Sequence, residues 1–321
     1  MSARASNPSA IQIPEAPHLR VEQDSPLSRC TTWRIGGPAD FLIRTANADD
    51  MVAAVRWASD KGMPVTVIGG GSNLLVADSG IRGLVIVSKV SGERSADLVQ
   101  WEDQGDAIRL RVGAQAPLSW VGRFASERGW AGMDWGVGLP GTIGGATVNN
   151  AGAHGTEQKD HLESITVLRL DGSIEEHDRE WLNPTYRNTT IKAMGRPRDY
   201  IVLDATMQLP RGDTDALTRL ADEHAAYRKE TQPTGACGGS TFANPDGDFA
   251  GRLLEEASLK GHAVGPVSFS TKHTNFIINA GGGTAEQVRE LIAYGQSVVL
   301  ERFGVALERE IEFIGDGVET E

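Results

Sequence analysis

The order of apolar and polar positions predicts alternating helices and strands up to residue 210. Val52, Val55 and Ala58 share one helical face, and Asp49 or Asp50 is the expected N-cap of that helix. Short apolar or alternating runs predict strands at residues 64–68, 83–88, 108–113, 165–170 and 200–209. The pattern therefore predicts a fold that mixes helices and sheets.

The pattern changes at residues 210–213 (PRGD), which read as a boundary. Beyond it we expect helices at residues 214–229, 249–257 and 285–303, and strands at residues 275–279 and 305–314. Thr284 and Gln287 form the expected capping box of the last helix. From this change in composition we predict a separate C-terminal domain.

Two uncharged, glycine-rich stretches stand out, at residues 69–73 and 136–155. Glycine costs backbone entropy on folding, so this density of glycines indicates that a bulky ligand lies against the backbone, where a Cβ atom would collide with it. The bare N–H groups of such a loop can face phosphate oxygens. The alternatives are a plain hairpin turn at residues 69–73 and a surface loop at residues 136–155, but two such loops together favour a dinucleotide-sized ligand. The G-x-G-x-x-G spacing at Gly136, Gly138 and Gly141 follows no apolar strand, and residues 69–73 lack a P-loop lysine. We therefore expect neither a Rossmann crossover nor an ATPase.

Composition narrows the classes of partner. The 321 residues carry a formal net charge of −12, which argues against nucleic acid and anionic membranes. Cys30 and Cys237 form neither a metal-ligand spacing nor a disulfide framework, so no metal site is expected. The sequence contains no apolar run of membrane-spanning length and no signal peptide, which predicts a cytoplasmic protein. Local cations and backbone amides must hold any anionic ligand.

A set of motifs occurs in the order typical of one enzyme family. They are TTWRIGGPAD (31–40), VIGGGSNLLV (67–76), GLPGTIGGATVNNAG (138–152), YRNT (186–189), GGSTFANP (238–245), KHTNFIIN (272–279) and LEREIEFIG (307–315). From Leu27 to Gly315 the chain resembles the UDP-N-acetylenolpyruvoylglucosamine reductase (MurB) family, in its shorter, type II-like variant. Members of that family complete UDP-N-acetylmuramate for peptidoglycan.

The resemblance implies an α+β fold, with an FAD-binding module of the vanillyl-alcohol-oxidase (PCMH) type in two α+β subdomains and a C-terminal α+β substrate domain. The expected divisions are a disordered leader (1–20), two FAD-binding subdomains (21–90 and 91–211), the substrate domain (212–315) and a tail (316–321). The implied ligands are non-covalent FAD, NADPH as reductant and a UDP-sugar substrate. No oligomeric state is predicted.

The resemblance also implies that the two glycine-rich stretches hold FAD, and above all its diphosphate, through backbone N–H groups. The expected cofactor-binding residues are Ile68, Gly69, Gly70, Gly71, Ser72, Asn73, Leu74, Gly138, Pro140, Thr142, Ile143, Gly144, Gly145, Asn150 and Gly152.

Three catalytic residues follow from the matching motifs. The catalytic arginine falls on Arg187, the proton-donating serine on Ser240 and the catalytic glutamate on Glu310, with Glu308 as the alternative on the same strand face. The expected substrate-binding residues are Tyr186, Arg228, Asn244 and Lys272.

Two positions depart from the family pattern. His154 stands where a tyrosine is common, and Thr231 where a lysine is common, so a diphosphate contact is expected from Arg228 or Lys229 instead. Two other functions stay open at this point. Another FAD-dependent oxidase or dehydrogenase of the same superfamily would share the glycine loops without the three catalytic positions. A non-catalytic flavin or sugar-nucleotide binding protein would bind FAD without turnover.

Overall fold

The computed structural model describes residues 11–90 and 92–317. Its strands form three main sheets, two of four strands and one of five, together with two short strand pairs. Residues 1–10 of the expected leader and residues 318–321 of the expected tail lie outside the described residues.

The first region contains a mixed sheet with one helix packed on it. Its elements are β1 (Glu22–Pro26), β2 (Pro38–Thr45), α1 (Ala48–Asp60), β3 (Val65–Ile68), β4 (Leu74–Val76) and β5 (Ile81–Ser88). The sheet order is β1-β2-β5-β3, and β5 is parallel to both β2 and β3. β3 is therefore an edge strand that ends at the first glycine loop.

Two expectations for this region are wrong. Asn47 caps α1, because its side chain accepts the Asp50 amide, whereas the Asp50 carboxylate accepts the Ala46 amide just before the helix. The leader is also not disordered throughout. Ile13, with 1% of its surface exposed, packs in the same hydrophobic core as α1 and β5, so residues 11–20 are part of the folded protein.

The second region contains the five-stranded sheet. Its elements are β6 (Val99–Asp103), β7 (Ala107–Gly113), α2 (Leu118–Ser126), α3 (Ile143–Asn149), β8 (Gly152–Ala153), β9 (Thr156–Glu157), β10 (Leu162–Arg169), β11 (Ile174–Asp178), α4 (Arg179–Leu182), α5 (Thr190–Ala193) and β12 (Tyr200–Pro210). The order is β11-β10-β12-β7-β6, antiparallel throughout. One core joins this sheet to α2 and α3, and a second core joins β10 and β12 to α1 of the first region.

The third region follows residue 211. Its elements are α6 (Thr214–Thr231), β13 (Ala236–Cys237), α7 (Ala250–Glu256), β14 (Ala263–Val264), β15 (Val267–Phe269), β16 (Ile277–Asn279), α8 (Ala285–Phe303) and β17 (Glu312–Ile314). The predicted capping box of Thr284 and Gln287 opens α8. α6 contacts the second region, where its Asp222 pairs with Arg123 of α2 at 2.7 Å.

The expected strand over residues 305–314 is wrong for most of its length, because only Glu312–Ile314 is a strand. That strand pairs in parallel with β4 of the first region, with Glu312 opposite Leu74. The end of the described chain therefore returns to the first glycine loop. Among the helices of the described residues, none is both long and apolar enough to cross a lipid bilayer.

Candidate active site

A cavity of about 870 Å³ lies where the three regions meet. Both glycine loops line it, together with the edge strand β3, the start of β12 and the C-terminal end of α6. All three predicted catalytic residues, Arg187, Ser240 and Glu310, also line it. Residues from distant parts of the sequence thus meet at one cavity.

The first glycine loop packs against the second. A Cβ atom on Gly69 would lie 2.5 Å from Thr142 Oγ1, and one on Gly70 would lie 2.6 Å from the Cα atom of Gly141. Across residues 11–90 and 92–317 we find no acceptor for the amide N–H groups of residues 70–72. Amides of this kind can bind an anion in the cavity.

The second glycine loop contains a short helix, α3, that begins inside the glycine-rich sequence. Thr142 caps it by accepting the Gly145 amide. A Cβ atom on Gly144 would lie 2.8 Å from the Cβ atom of Ala114, so packing requires a glycine there. A Cβ atom on Gly145 would meet only Thr142 Oγ1, at 3.7 Å. A side chain at position 145 would therefore extend toward the cavity, whereas one at position 144 would clash in the protein core.

Arg187 is held from several sides. It lies in a tight turn closed by two hydrogen bonds between Thr185 and Asn188, with a left-handed φ of 54°. Its Nε donates to Glu310 Oε1 at 2.9 Å and its Nη2 donates to the Gly152 carbonyl at 2.9 Å. The guanidinium plane is therefore fixed before any ligand binds.

Glu310 is the acid that enters the cavity. The structure separates it from Glu308, which is exposed and whose carbonyl oxygen accepts the Ala243 amide. Burial raises the pKa of the Glu310 carboxyl, and the charges of Arg187 and Lys192 act in the opposite direction. The carboxyl therefore lies closer to its protonated form than an exposed glutamate does.

Ser240 is positioned through its two neighbours in the chain. The Gly239 amide donates to the Ser72 carbonyl in the first glycine loop at 3.0 Å. The Thr241 carbonyl accepts the Glu310 amide, also at 3.0 Å. These two bonds place Ser240 between the first glycine loop and the segment that carries Glu310.

Of the predicted substrate residues, Arg228 lines the cavity, whereas Tyr186, Asn244 and Lys272 are not among its lining residues. The Arg228 Nε donates to the Gly138 carbonyl at 3.3 Å. Tyr186 is 47% exposed, and its hydroxyl accepts the Asn244 amide at 3.5 Å. Lys272 is exposed, and its Nζ donates to the Lys229 carbonyl at 2.8 Å.

Three of the predicted cofactor residues have other roles. The side chains of Ile68 and Ile143 are fully buried in two different hydrophobic cores. The Asn150 side chain is buried and donates to the Thr185 carbonyl at 2.8 Å, which braces the turn that carries Arg187. The remaining predicted cofactor residues all line the cavity.

Four charged residues near the cavity were missed from the sequence. Lys192 Nζ donates to the Arg187 carbonyl at 2.9 Å, and burial lowers its pKa. Arg196, Arg198 and Glu312 line the cavity. Lys192, Arg196 and Arg198 sit in a short polar segment that resembles a surface turn, and only the spacing of Glu312 two residues after Glu310 was a usable signal.

Of the two positions that depart from the family pattern, His154 contacts α6 and Thr231 is the last residue of that helix. The His154 ring stacks on the His224 ring at a centroid distance of 3.9 Å and meets Tyr227 edge-on. The Thr231 hydroxyl donates to the Tyr227 carbonyl within the helix. Arg228 and Lys229 line the cavity, as the expectation of a cation from this helix requires.

The residues of the cavity fit a dinucleotide. Both glycine loops line the space, the amides of residues 70–72 have no acceptor within residues 11–90 and 92–317, and there is room for a Cβ atom at Gly145 on the cavity side. Cations line it in a chain that is acidic as a whole. FAD, with its flat ring system and its diphosphate, matches these features.

Comparisons with known proteins identify the family. The model of an FAD binding domain matches residues 39–178, and the model of the C-terminal domain of UDP-N-acetylenolpyruvoylglucosamine reductase matches residues 232–314. The reductase of Bacillus velezensis is 38% identical over 297 residues, covering 92% of this chain and 94% of the relative. The reductase of Agathobacter rectalis is 40% identical over 307 residues, covering 94% and 96%.

A solved structure agrees with these sequences. The crystal structure of the reductase (MurB) from Thermus caldophilus has a TM-score of 0.74 and 32% identity, covering 92% of this chain and 99% of that one. The chain belongs to the UDP-N-acetylenolpyruvoylglucosamine reductase family.

Proposed function

We propose that this chain reduces the enolpyruvyl group of UDP-N-acetylenolpyruvoylglucosamine, with FAD as cofactor and NADPH as reductant, to form UDP-N-acetylmuramate. One observation carries the proposal: Arg187, Glu310 and Ser240 meet at a cavity lined by two glycine loops. When bound, FAD supplies the hydride transfer between NADPH and the substrate. The protein residues supply orientation, charge and a proton.

Arg187 stabilises the charge that develops on the substrate. Hydride addition to the terminal methylene carbon places negative charge on the adjacent carbon, and that charge spreads into the carboxylate. Among the described residues, the hydrogen bonds of Arg187 to Glu310, Gly152 and Asn150 use three of the five guanidinium N–H groups. The two other N–H groups make no hydrogen bond to these residues, although Nη1 also lies 3.9 Å from Glu157 Oε1, and they can donate to the substrate carboxylate. A fixed cation of this kind favours the transition state over the ground state.

Glu310 acts beside Arg187. Because burial favours the protonated carboxyl, Glu310 can donate a hydrogen bond to the enolate-like carboxylate of the substrate. Its bond to Arg187 Nε fixes the orientation of both groups. Lys192 supports the pair by holding the Arg187 carbonyl in its left-handed turn.

Ser240 donates the proton that completes the reduction. The role is supported by the backbone on either side of Ser240, which is hydrogen-bonded to the first glycine loop and to the Glu310 segment, and by the position of Ser240 in the cavity lining. A hydroxyl is a weak acid, but a carbanion-like enolate is a strong base, so the transfer is favourable once the hydroxyl is positioned.

The alternative of another FAD-dependent oxidase accounts for less of the structure. Such an enzyme shares the glycine loops but does not require an arginine, a glutamate and a serine around one carboxylate. The relatives that cover the chain are named reductases.

The test separates the two half-reactions by stopped-flow flavin absorbance under anaerobic conditions. We predict that Ser240→Ala leaves FAD binding and flavin reduction by NADPH nearly intact. Reoxidation by the enolpyruvyl substrate slows by ~10²–10⁴-fold, the usual effect of losing a positioned general acid. Ser240→Cys retains more activity than Ser240→Ala, because a thiol can still donate a proton.

The matched control is Ser268→Ala, which removes a hydroxyl from β15 outside the cavity and leaves both half-reactions at the parent rate. If Ser240→Ala slows reduction by NADPH but reoxidises at the parent rate, the role given to Ser240 is wrong. If the parent protein takes up FAD and NADPH yet never reoxidises with the enolpyruvyl substrate, the proposed function is wrong.

A further inference from the structure

Two arginines that the reaction does not use share one carboxylate at the cavity wall. Arg196 Nε donates to Glu312 Oε2 at 3.0 Å, and Arg198 Nη2 donates to the same oxygen at 2.7 Å. Each of these three side chains is less than one fifth exposed, and all three line the cavity. We call Arg196, Arg198 and Glu312 the arginine clamp.

The arginine clamp carries an excess of positive charge. Lys192 interacts electrostatically with both Glu310 and Glu312, so the four cations Arg187, Lys192, Arg196 and Arg198 share these two carboxylates. Although burial opposes it, the guanidinium groups of Arg196 and Arg198 hold the pKa of Glu312 below its ordinary value, so this carboxylate is ionised. Two carboxylates do not neutralise four cations, and buried charge without a partner is costly.

One donor of the arginine clamp has no protein partner. Among the residues that the structure describes, the buried Nε of Arg198 has no acceptor. Burial also lowers the pKa of Arg198. A buried N–H group without an acceptor is costly. An anion bound in the cavity offsets the charge excess, but the buried Nε is not exposed to the cavity, so a contact of Arg198 with that anion must come from its Nη groups.

The arginine clamp lies next to the first glycine loop. The Glu312 amide donates to the Asn73 carbonyl at 3.0 Å, and β17 pairs with β4 immediately after that loop. Residues 70–72 and both arginines therefore line the same cavity from adjacent positions. Amides and guanidinium groups are the donors that phosphate groups prefer.

We propose that Arg196 and Arg198, oriented by Glu312, bind the diphosphate of FAD together with the amides of the first glycine loop. The proposal rests on FAD being the cofactor. The diphosphate of the sugar nucleotide has other cations available, because Arg228 and Lys229 line the cavity from α6. In an acidic chain, the arginine clamp supplies the local positive charge that an anionic cofactor requires.

The experiment measures the affinity of the apo-protein for FAD by quenching of flavin fluorescence. Arg198→Met is the main variant, because it leaves Glu312 paired with Arg196. We expect the Kd for FAD to rise about 10- to 100-fold, as for a lost hydrogen bond to a charged group. The matched control, Arg109→Met, removes an equal charge from the Glu163 ion pair on β7 outside the cavity and changes the Kd less than about twofold.

Glu312→Gln separates ligand binding from folding. If the arginines bind the diphosphate, Gln keeps a side-chain oxygen that can orient them but removes the negative charge, so FAD affinity stays the same or increases. If the arginine clamp only holds β17 in place, Glu312→Gln lowers both FAD affinity and the melting temperature. That second result, or unchanged FAD affinity in Arg198→Met, overturns the proposal.

A second titration shows whether the arginines bind the diphosphate of FAD or that of the sugar nucleotide. With FAD saturating, Arg198→Met is titrated with UDP, and we expect a Kd within about twofold of the parent value. Weaker UDP binding together with unchanged FAD binding assigns the arginines to the sugar nucleotide and overturns the proposal. A parent protein that binds no FAD overturns the proposed function as well, whereas equal FAD affinities in parent and variant overturn the arginine clamp alone.

Discussion

The two glycine loops look alike in the sequence, but they need glycine for different reasons. In the first loop, Gly71 has a left-handed φ of 64°, and a Cβ atom there would overlap the Cys30 carbonyl oxygen. In the second loop, a Cβ atom on Gly145 would meet no protein atom closer than 3.7 Å and would enter the cavity. One glycine is required by the fold, whereas the packing of the protein gives no reason for the other.

This difference changes the interpretation that the glycines of both loops are there to make room for a ligand. Gly69 and Gly70 are small because the second loop passes directly over them, at Thr142 and Gly141. Gly144 is small because of Ala114. Packing thus explains much of the glycine that the sequence attributes to a ligand, and Gly145 is the position at which the ligand explanation stays a prediction.

The largest expected effect is on the fold. Gly71→Ala forces a Cβ atom into backbone and places alanine in a left-handed conformation, so we expect a loss of roughly 3–5 kcal/mol of unfolding free energy. Urea denaturation of the apo-protein measures it. Such a loss is a large part of the ~5–15 kcal/mol that stabilises a typical protein.

Gly155→Ala is the matched control for Gly71→Ala. Its φ is 82°, but a Cβ atom there meets nothing within 4 Å. We expect it to cost only ~1 kcal/mol, the backbone contribution alone. Equal losses in the two variants would show that the overlap with Cys30 is relieved and would remove the contrast between the loops.

The next effect is on the cofactor alone. Gly145→Val places a side chain in the cavity without a clash in the protein, so the apo-protein keeps its circular dichroism spectrum while FAD retention falls by at least about 100-fold. Flavin content after purification measures the loss. Gly144→Ala is the contrasting variant, because its Cβ atom meets Ala114 and it therefore lowers the melting temperature of the apo-protein. Normal FAD retention by Gly145→Val would contradict the assignment of the cavity.

The smallest expected effect is the loss of folding stability at low pH that comes from His154, near the end of the second glycine loop. Burial, His224 and Arg228 lower the pKa of His154, while Asp134 acts in the opposite direction. The unfolded chain, with an ordinary histidine pKa of 6.5, therefore binds more protons than the folded chain as the pH falls below that value. Stability contributed by neutral His154 is fully present above that pH and is lost on acidification.

His154→Phe keeps an aromatic ring against His224 and Tyr227 but cannot take up a proton. Between pH 7 and pH 5 we expect its melting temperature to fall about 1–3 °C less than that of the parent protein. Thermal scans at half-unit pH steps measure the slopes. Parallel slopes would show that the His154 ring does not sense acid in the folded protein.

Local signals in the sequence predicted much of the secondary structure, and tertiary contacts explain the failures. The capping box of Thr284 and Gln287 was predicted correctly, because both partners lie within one helical turn. The strand at residues 305–314 was not, because its real extent is set by β4, a three-residue partner far away in the sequence. Periodicity within one segment contains no information about the length of its partner.

The site follows the same rule. Arg187, Ser240 and Glu310 were found through motifs, and they line one cavity as expected. Arg196 and Arg198 were not found, since charged residues in a turn usually remain in solvent. Their burial depends on ion pairs with Glu312, a residue more than 100 positions later in the sequence.

The pairing of β17 with β4 has a consequence for synthesis on the ribosome. Asn73 and Glu310, whose side chain and carbonyl are hydrogen-bonded at 3.1 Å, are 237 residues apart. The first glycine loop is therefore translated well before the strand that flanks it and the acid that pairs with Arg187. A nascent chain can form its first sheets before the part of the cavity wall that carries Glu310 has been made.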